Sequence, residues 1–500
     1  MTDKILLVTF QNNTEVIGLK YIRSYLCQNQ IDPHILFVPG YDPKHMSVIE
    51  TYLKRFKPKI IGISLMSAEF DQAKSFSEII KNDFQEMIIA WGGIHPTVSP
   101  EECLEYADYV FRGESEHAFL EFVKAILKNK PVKNILNLGY KSSSGIAINT
   151  LRPLNNNLDE LPFPEHWPEN SSILHNGRIM KLSRSLFNRY SRYSGRSYNL
   201  TTTRGCSFSC AYCCNSAYSK LYGASKIRQR SVENVIKEMK HAVKCFPELI
   251  YINIQDDNFF SYDVGWMTVF AEACETEIKK RFVCRTTPAH LSEEKISMLK
   301  KAGLAWIFMG LQSASSRVNK EVYKRYVPNE KFIEAAQLVK RCHVAGFYDI
   351  ILDNPYETEE DQLETINVIL KIPKPFMLQL FSLCFYQGTE LHDRALKDNL
   401  TIENPRLKNY AKYQPTFLNK VVRLCPLLPQ KLIVFLVKNR KSRWTKIFLN
   451  SIYFPSIVLL EPMIWLRLVL ISFEYRLPIT TKMILSFSKT GIHQIFFRKR

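Results

Sequence analysis

The chain has 500 residues, 46% hydrophobic and 23% charged, with 18 Gly and 24 Pro. That balance excludes a disordered chain, a collagen-like repeat and a Gly/Pro low-complexity polymer, and the length calls for roughly two to four domains. The net charge of +19 implies an anionic partner: nucleic acid, an anionic membrane or a phosphorylated substrate.

Met1 leads through three polar residues into an apolar run, with no cationic segment ahead of a long apolar one. A secretory signal is not expected, and the chain is expected in the cytoplasm. Twelve Cys are too sparse for a disulfide framework. In a reducing compartment, clustered Cys read as metal or redox ligands. Apolar runs of strand length stand at 5–8, 34–38, 60–65, 87–91 and 109–111, with amphipathic helix-length stretches at 16–28, 47–56, 70–84 and 116–127. The alternation predicts an α/β fold over residues 1–135: a doubly wound, Rossmann-like parallel sheet with helices on both faces. Ligands of such sheets bind at the carboxyl ends of the strands. Those ends carry Gln11-Asn12-Asn13, Ser64-Leu65-Met66-Ser67, Gly92-Gly93-Ile94-His95 and Gly113-Glu114. Small and polar residues there suit a flat ligand with polar edges, and equally suit ordinary turns.

Residues 136–197 are expected to be a linker, because Pro153, Pro162, Pro164 and Pro168 interrupt helices. From 198 to 395, strand signals at 198–203, 249–255, 282–287, 306–311, 348–352 and 376–383 alternate with helix signals at 232–245, 266–280, 293–302, 330–345 and 359–370. Six such units predict a partial (β/α)6 TIM-like barrel with its site at the C-terminal strand ends; seven or eight units stay open by counting. Residues 396–500 are apolar and basic at once, with fourteen Lys and Arg from 421 on against Glu461 and Glu474. The stretch 452–473, interrupted by Pro455, Glu461, Pro462 and Arg467, is poor for a spanning helix. It reads as helices in a membrane interface anchored by Trp444, Tyr453 and Trp465, or as a small helical domain with a basic face. Its Leu, Ile and Phe content is far above what phosphate binding needs, which ranks nucleic acid last.

The strongest chemical signal is Cys206-x3-Cys210-x2-Cys213, just after a predicted strand. A loop of that spacing can wrap three thiolates around one corner of a [4Fe–4S] cluster and leave the fourth iron open. Zinc is the alternative, but it wants a fourth ligand from a second Cys or His pair, and Cys214 is too close to Cys213 to serve.

At these residues the sequence resembles the radical S-adenosylmethionine (AdoMet, SAM) superfamily. Tyr212 before the third Cys fits it. So do Gln255-Asp256-Asp257 after the second barrel strand and Gly310-Leu311-Gln312-Ser313 at the fourth. Asp353-Asn354-Pro355-Tyr356-Glu357-Thr358 at the fifth and the late Gly388-Thr389-Glu390-Leu391 fit as well. With the doubly wound domain directly ahead, residues 1–395 resemble the cobalamin (B12)-binding radical AdoMet proteins.

The resemblance implies a cluster on Cys206, Cys210 and Cys213. It implies an AdoMet pocket of Tyr212, Gln255, Asp256, Asp257, Arg285, Gln312 and Ser313. It also implies a cobalamin site at Asn12, Ser64, Ser67, Gly92, Gly93, His95, Gly113 and Glu114. Relatives often bind cobalt through a His in a D-x-H-x-x-G loop. Here the first loop holds no His, so cobalamin is expected without a protein axial ligand, and His95 is the nearest other candidate. Gln312 stands for a usual Glu, and Asp353 and Tyr356 stand for two Gly.

The implied activity is a 5′-deoxyadenosyl radical that abstracts hydrogen, followed by cobalamin-dependent methylation, or by cyclisation or rearrangement. The substrate is a lipid-like or other small molecule, and electrons come from a flavodoxin- or ferredoxin-type reductant. Peripheral contact of 421–500 with the inner face of the membrane belongs to the same expectation. Two alternatives remain open at this point. One is a tRNA methylthiotransferase, whose second cluster needs more than the Cys27 and Cys103 present in the first domain. The other is a non-enzymatic cluster or cobalamin sensor.

Overall fold

The computed structural model describes residues 4–223, 227–402 and 410–473, in two units. The first holds a nine-stranded sheet: β1 (Lys4–Thr9), β2 (His34–Phe37), β3 (Pro58–Ser64), β4 (Ile88–Gly92), β5 (Tyr109–Phe111), β6 (Leu138–Ser142), β7 (Gly145–Ile148), β8 (Ser171–His175) and β9 (Arg178–Lys181), in the order β7-β6-β5-β4-β3-β1-β2-β8-β9. Strands β5-β4-β3-β1-β2 are parallel, the doubly wound order whose switch point lies between β1 and β3. Side chains of β1 alternate between two cores. Leu6 and Val8 join Ile49, Leu53, Phe70 and Phe76 on one face; Ile5 and Leu7 join Leu19, Leu26, Phe119 and Phe122 on the other. A strand buried on both faces must be apolar at every position, which is why 5–8 reads as a continuous run.

The expected linker is part of this sheet. Residues 136–197 supply the hairpin β6–β7 to one side and the hairpin β8–β9 to the other. Asn176 and Gly177, both at positive φ, form the two-residue turn of the second hairpin. Such a turn matches the twist of its strands and is favoured by that dipeptide. The four prolines fall outside these strands, where a missing N–H costs nothing.

The second unit holds six parallel strands: β10 (Ser197–Leu200), β13 (Tyr251–Ile254), β14 (Arg281–Thr286), β15 (Leu304–Gln312), β16 (Ala345–Leu352) and β17 (Met377–Ser382), neighbours in sequential order. Two-residue strands β11 (Thr203–Arg204) and β12 (Arg228–Gln229) flank the cysteine segment in sequence and belong to neither large sheet. Six units are therefore the count among the described residues. Helices Val232–Cys245, Val264–Ala273, Glu293–Lys301, Asn329–Arg341 and Glu359–Ile369 connect them. Ser231, Asp263, Ser292 and Thr358 cap four of these by accepting a backbone N–H from the first turn, each worth about 1 kcal/mol. The helix expected over 330–345 stops at Arg341, because Ala345 already begins β16.

Three further helices follow: Phe417–Leu424, Gln430–Lys438 and Arg443–Phe473. They are not a separate domain. Leu418, Val421, Leu424, Ile433, Leu436, Leu449 and Ile457 belong to the same core as the outward side chains of the barrel strands. Pro455 and Pro462 lie inside one 31-residue helix rather than dividing it. By length and composition that helix could cross a membrane. Its Trp465, expected as an interfacial anchor, instead packs on Trp306 (ring centroids 6.3 Å) and Phe347 (5.2 Å), near the starts of β15 and β16. Tyr453 lies against Lys420 and Tyr413. Of the three anchors only Trp444, 79% exposed, faces outward. The part of the tail from 474 on lies outside the described residues.

Candidate active site

Alternation along the barrel strands sorts their side chains. Ile252, Ile254, Cys284, Ile307, Met309, Tyr348 and Ile350 face the helices and form the core. The opposite phase, Asn253, Arg285, Phe308 and Asp349, therefore lines the interior. This interior is polar towards the strand ends. Gln255 donates from Nε2 to Asn199 Oδ1 at 3.0 Å, and Arg285 Nη1 donates to Gln255 Oε1 at 3.2 Å. The Arg285 guanidinium lies 5.3 Å from the centre of the Phe308 ring. Burial pushes the Asp349 carboxyl up to about 6, and the Arg285 and Arg325 charges draw it back only in part.

At the end of β15, Gln312 takes a left-handed conformation (φ 67°) and folds its amide back over Gly310, in space that a Cβ at 310 would fill. Arg325 Nη2 donates to Gly310 O at 2.8 Å. Asn253 Oδ1, Gln312 Oε1 and Asp349 Oδ1 are buried acceptors without a hydrogen-bond partner. Three acceptors left unpaired in one chamber fit a ligand rich in donors, as the amino groups and ribose hydroxyls of AdoMet are.

The cysteine loop leaves the barrel just after β10. Asp256 holds its root: the buried carboxylate accepts from Thr202 N (2.7 Å), Thr203 N (3.0 Å) and the Thr202 hydroxyl, and Tyr262 donates to Thr202 O at 3.0 Å. Burial raises the Asp256 carboxyl to about 6, the three donors opposing that rise. Gly205, at φ 95°, turns the chain into the loop. Cys206 Sγ accepts from Phe208 N at 3.5 Å, and Cys210 Sγ lies 4.0 Å from Arg325 Nη1. Cys213 is the N-cap residue of the helix Cys214–Tyr222, a position that stabilises a thiolate.

None of the three cysteines is in a disulfide. Among the described residues no three His, Cys, Asp or Glu side chains are gathered tightly enough to cage a single ion. A [4Fe–4S] cube takes each thiolate on a different iron, which the x3 and x2 spacing of Cys206, Cys210 and Cys213 allows.

Several predicted pocket residues have other work. Asp256 is 1% exposed and its carboxylate accepts hydrogen bonds from the root of the cysteine loop. Asp257, its neighbour, is exposed. Ser313 is fully buried, and its carbonyl accepts from Asn319 Nδ2 at 2.7 Å. Gln255, Arg285 and Gln312 do lie at the interior strand ends, while Tyr212 is half-buried within the loop. Sequence reasoning missed Asn199, Asn253, Arg325 and Asp349. The available signal was a polar residue recurring at the inward phase of otherwise apolar strands. Asp353 takes a positive φ (57°) and uses its carboxylate to accept from Ser382 Oγ (2.6 Å), Gln414 N (2.9 Å) and Asn419 Nδ2 (2.8 Å). Asp353 thus ties the C-terminal helices to the barrel.

In the first unit the strand ends around the switch point are mixed in character. Ser64, Gly92, Gly93 and Gly113 are half-buried, and Met66 is exposed. Gly93 (φ 107°) packs so closely on Leu65 that a Cβ would sit 2.5 Å from its carbonyl oxygen. That brings the loops after β3 and β4 into direct contact, Leu65 N donating to Gly92 O at 3.0 Å. Asn12 accepts from Gly40 N at 2.8 Å, and Glu114 pairs with Arg228 through both oxygens. Ser67 Oγ lies 3.0 Å from His95 Nδ1. His95 is fully buried against Phe70, with Glu102 3.5 Å from its Nε2. It lies in the short helix Ile94–Val98, its ring enclosed by the fold.

The profile of the B12 binding domain matches residues 3–123, and that of the Radical SAM superfamily matches 200–369. The chain belongs to the B12-binding radical AdoMet proteins. These are enzymes, and their two domains imply cobalamin, a [4Fe–4S] cluster and AdoMet as cofactors. An uncharacterized methyltransferase of Pyrococcus horikoshii, PH0819, is 27% identical over 415 residues, 82% of this chain and 83% of the relative. The radical AdoMet methyltransferase TsrM of Kitasatospora setae, solved with tryptophan and a SAM analogue, has the same fold (TM-score 0.61, 15% identity, 79% of this chain and 76% of that one). So does the cobalamin-dependent radical enzyme OxsB with aqua-cobalamin bound (TM-score 0.65, 16% identity, 98% and 84%). A putative methylthiotransferase of Methanocaldococcus jannaschii is 26% identical, but only over 35% of this chain and 39% of its own. Membership of this enzyme family removes the sensor reading.

Proposed function

We propose that this B12-binding radical AdoMet enzyme transfers a methyl group to an unactivated carbon of a small, lipid-like molecule. The observation that carries the reading is the pairing, in one chain, of a cobalamin-type domain with a Cys206/Cys210/Cys213 barrel, an arrangement shared along most of its length with a relative named a methyltransferase. When bound, the three cofactors supply one-electron cleavage of AdoMet and a transferable methyl group. The chain's part is holding and excluding. Cys206, Cys210 and Cys213 ligate the cluster. Gln255, Arg285, Gln312 and Asp349 orient AdoMet and substrate by hydrogen bonds made in a water-poor interior. Phe308 and Phe347 give that interior apolar walls. A flavodoxin- or ferredoxin-type protein supplies electrons, and the enzyme works in the cytoplasm with 421–500 in peripheral contact with the membrane.

The methylthiotransferase reading is weaker. Its relatives match only about a third of the chain, and Cys27 and Cys103, the two Cys of residues 1–135, are too few for a second cluster. The test uses anaerobically reconstituted enzyme with hydroxocobalamin, AdoMet and dithionite. Stoichiometric cobalamin with formation of 5′-deoxyadenosine and S-adenosylhomocysteine supports the reading. Cluster and 5′-deoxyadenosine without cobalamin binding would refute methyl transfer.

A further inference from the structure

The helix Arg443–Phe473 presents two apolar sides. On one, Leu449, Ile457, Leu468 and Val469 are buried, and Trp465 closes on Trp306 and Phe347. Glu461 ties that side to Arg423 on the helix Phe417–Leu424 at 2.6 Å. On the other, Trp444, Ile447, Phe448, Phe454, Leu459 and Met463 are exposed, Leu459 and Met463 each by 64%. Runs of exposed large apolar groups on this scale are uncommon on soluble surfaces and mark a docking face.

A helix with one side locked into the barrel core cannot cross a bilayer, so it meets lipid sideways if at all. Charge says which surface it fits. Among the described residues from 417 to 473 there are nine Lys and Arg against Glu461 alone, and that acid is already paired. Lys438, Lys441, Arg443 and Lys446 are exposed around the start of the helix, beside Trp444, and Arg467 is exposed towards its end. Apolar side chains flanked by lysine and arginine match an acyl layer beneath anionic headgroups.

We propose that this face of Arg443–Phe473 is the surface by which the enzyme lies on an anionic phospholipid membrane, Trp444, Phe448, Leu459 and Met463 entering the headgroup–acyl boundary and Lys441, Arg443 and Lys446 pairing with phosphates. The inference rests on the peripheral attachment proposed above and is independent of methyl transfer. It places the lipid contact on the outside of the barrel, remote in sequence from the cysteine loop.

The experiment is sedimentation of the full-length protein with phosphatidylglycerol-containing vesicles and with pure phosphatidylcholine vesicles. One variant carries Leu459→Glu with Met463→Glu, both at exposed positions. A second carries Lys441→Glu, Arg443→Glu and Lys446→Glu. Iron content after reconstitution and the unfolding midpoint verify that each variant is folded. The wild type is expected to pellet with anionic vesicles and to be released by high salt. Each charge is worth about a fivefold change in affinity near such a surface, so losing the three positive charges alone should weaken binding on the order of 100-fold, and the reversal to Glu should weaken it further. The apolar pair should abolish binding to both vesicle types. Binding that survives both variants would refute this face while leaving peripheral attachment standing. No binding by the wild type would refute both. A dimer that the apolar pair dissolves, without any vesicle binding, would assign the face to a second copy of the chain and overturn the proposal.

Discussion

Replacing Asp256 by Asn and by Ala separates the two things its carboxylate does. In the wild type it is an acceptor for Thr202 N, Thr203 N and the Thr202 hydroxyl, and it is a buried charge. Asn and Ala both remove the charge; only Ala removes the acceptor. Ala leaves two backbone N–H groups buried without a partner, at about 1–3 kcal/mol each, so it should be less stable than Asn by about 2–6 kcal/mol. The charge has its own signature. The carboxyl rises from 3.8 to about 6 on folding, so the folded state binds this proton more tightly than the unfolded chain does. That contribution favours the native state below pH 4 and is lost as pH rises through 6. Relative to Asn, the wild type should therefore lose about 2.5 kcal/mol between pH 4 and pH 7.

The functional readout is iron. The Thr202–Thr203 peptides are the root of the cysteine loop, so the Ala variant should hold markedly less iron after anaerobic reconstitution, while the Asn variant should hold as much as the wild type. Urea unfolding at pH 5 and 7 and an iron assay on the same preparations decide the matter. Equal stability and equal iron in the two variants would show that the carboxylate does not hold the loop.

The cysteines give the sharpest selectivity. Ala at Cys206, Cys210 or Cys213 should abolish the cluster, whereas Ala at the exposed neighbour Cys214 should leave the iron content unchanged. Asp349→Asn should remove an acid limb near pH 6 from the pH profile of kcat/KM, since the carboxylate faces Arg285 and Arg325 in its charged form only above that value; an unchanged limb would assign it elsewhere. Asp353→Gly keeps the backbone angle but discards three hydrogen bonds, and should lower stability by about 2–4 kcal/mol in denaturant titration.

The strands were legible because each is a short apolar run and the rhythm between them is regular. Residues 109–111 and the helices 116–127 and 232–245 fall where the pattern puts them. The hairpins of 136–197 were obscured by four prolines, although Asn176-Gly177 carried the turn signal; the prolines mark the gaps between strands, not the absence of strands. The cysteine loop was legible because its spacing is itself the chemistry. The interior pocket was less so. Asp256 and Ser313 sit in motif positions yet are buried, whereas Asp349 sits mid-strand in an apolar segment and lines the interior. Which side of a strand a residue faces depends on register, and register is settled by partners far away in sequence. The role of Trp465 was illegible for the same reason: an aromatic on an apolar helix reads alike whether it meets lipid or the floor of a barrel.

That floor has a consequence for biosynthesis. The aromatic surface of Trp306 and Phe347 is made early, but Trp465, which covers it, is translated only well after the last barrel strand. At about 5–20 residues per second, the ribosome needs on the order of 4–16 s to pass from the end of β17 to Trp465. Throughout that interval the nascent barrel shows open apolar surface of the kind that chaperones hold. A chain terminated prematurely in this stretch would keep every cofactor-binding motif and still lack a closed core, so a nonsense codon between β17 and Trp465 should be nearly as damaging as one within the cysteine loop.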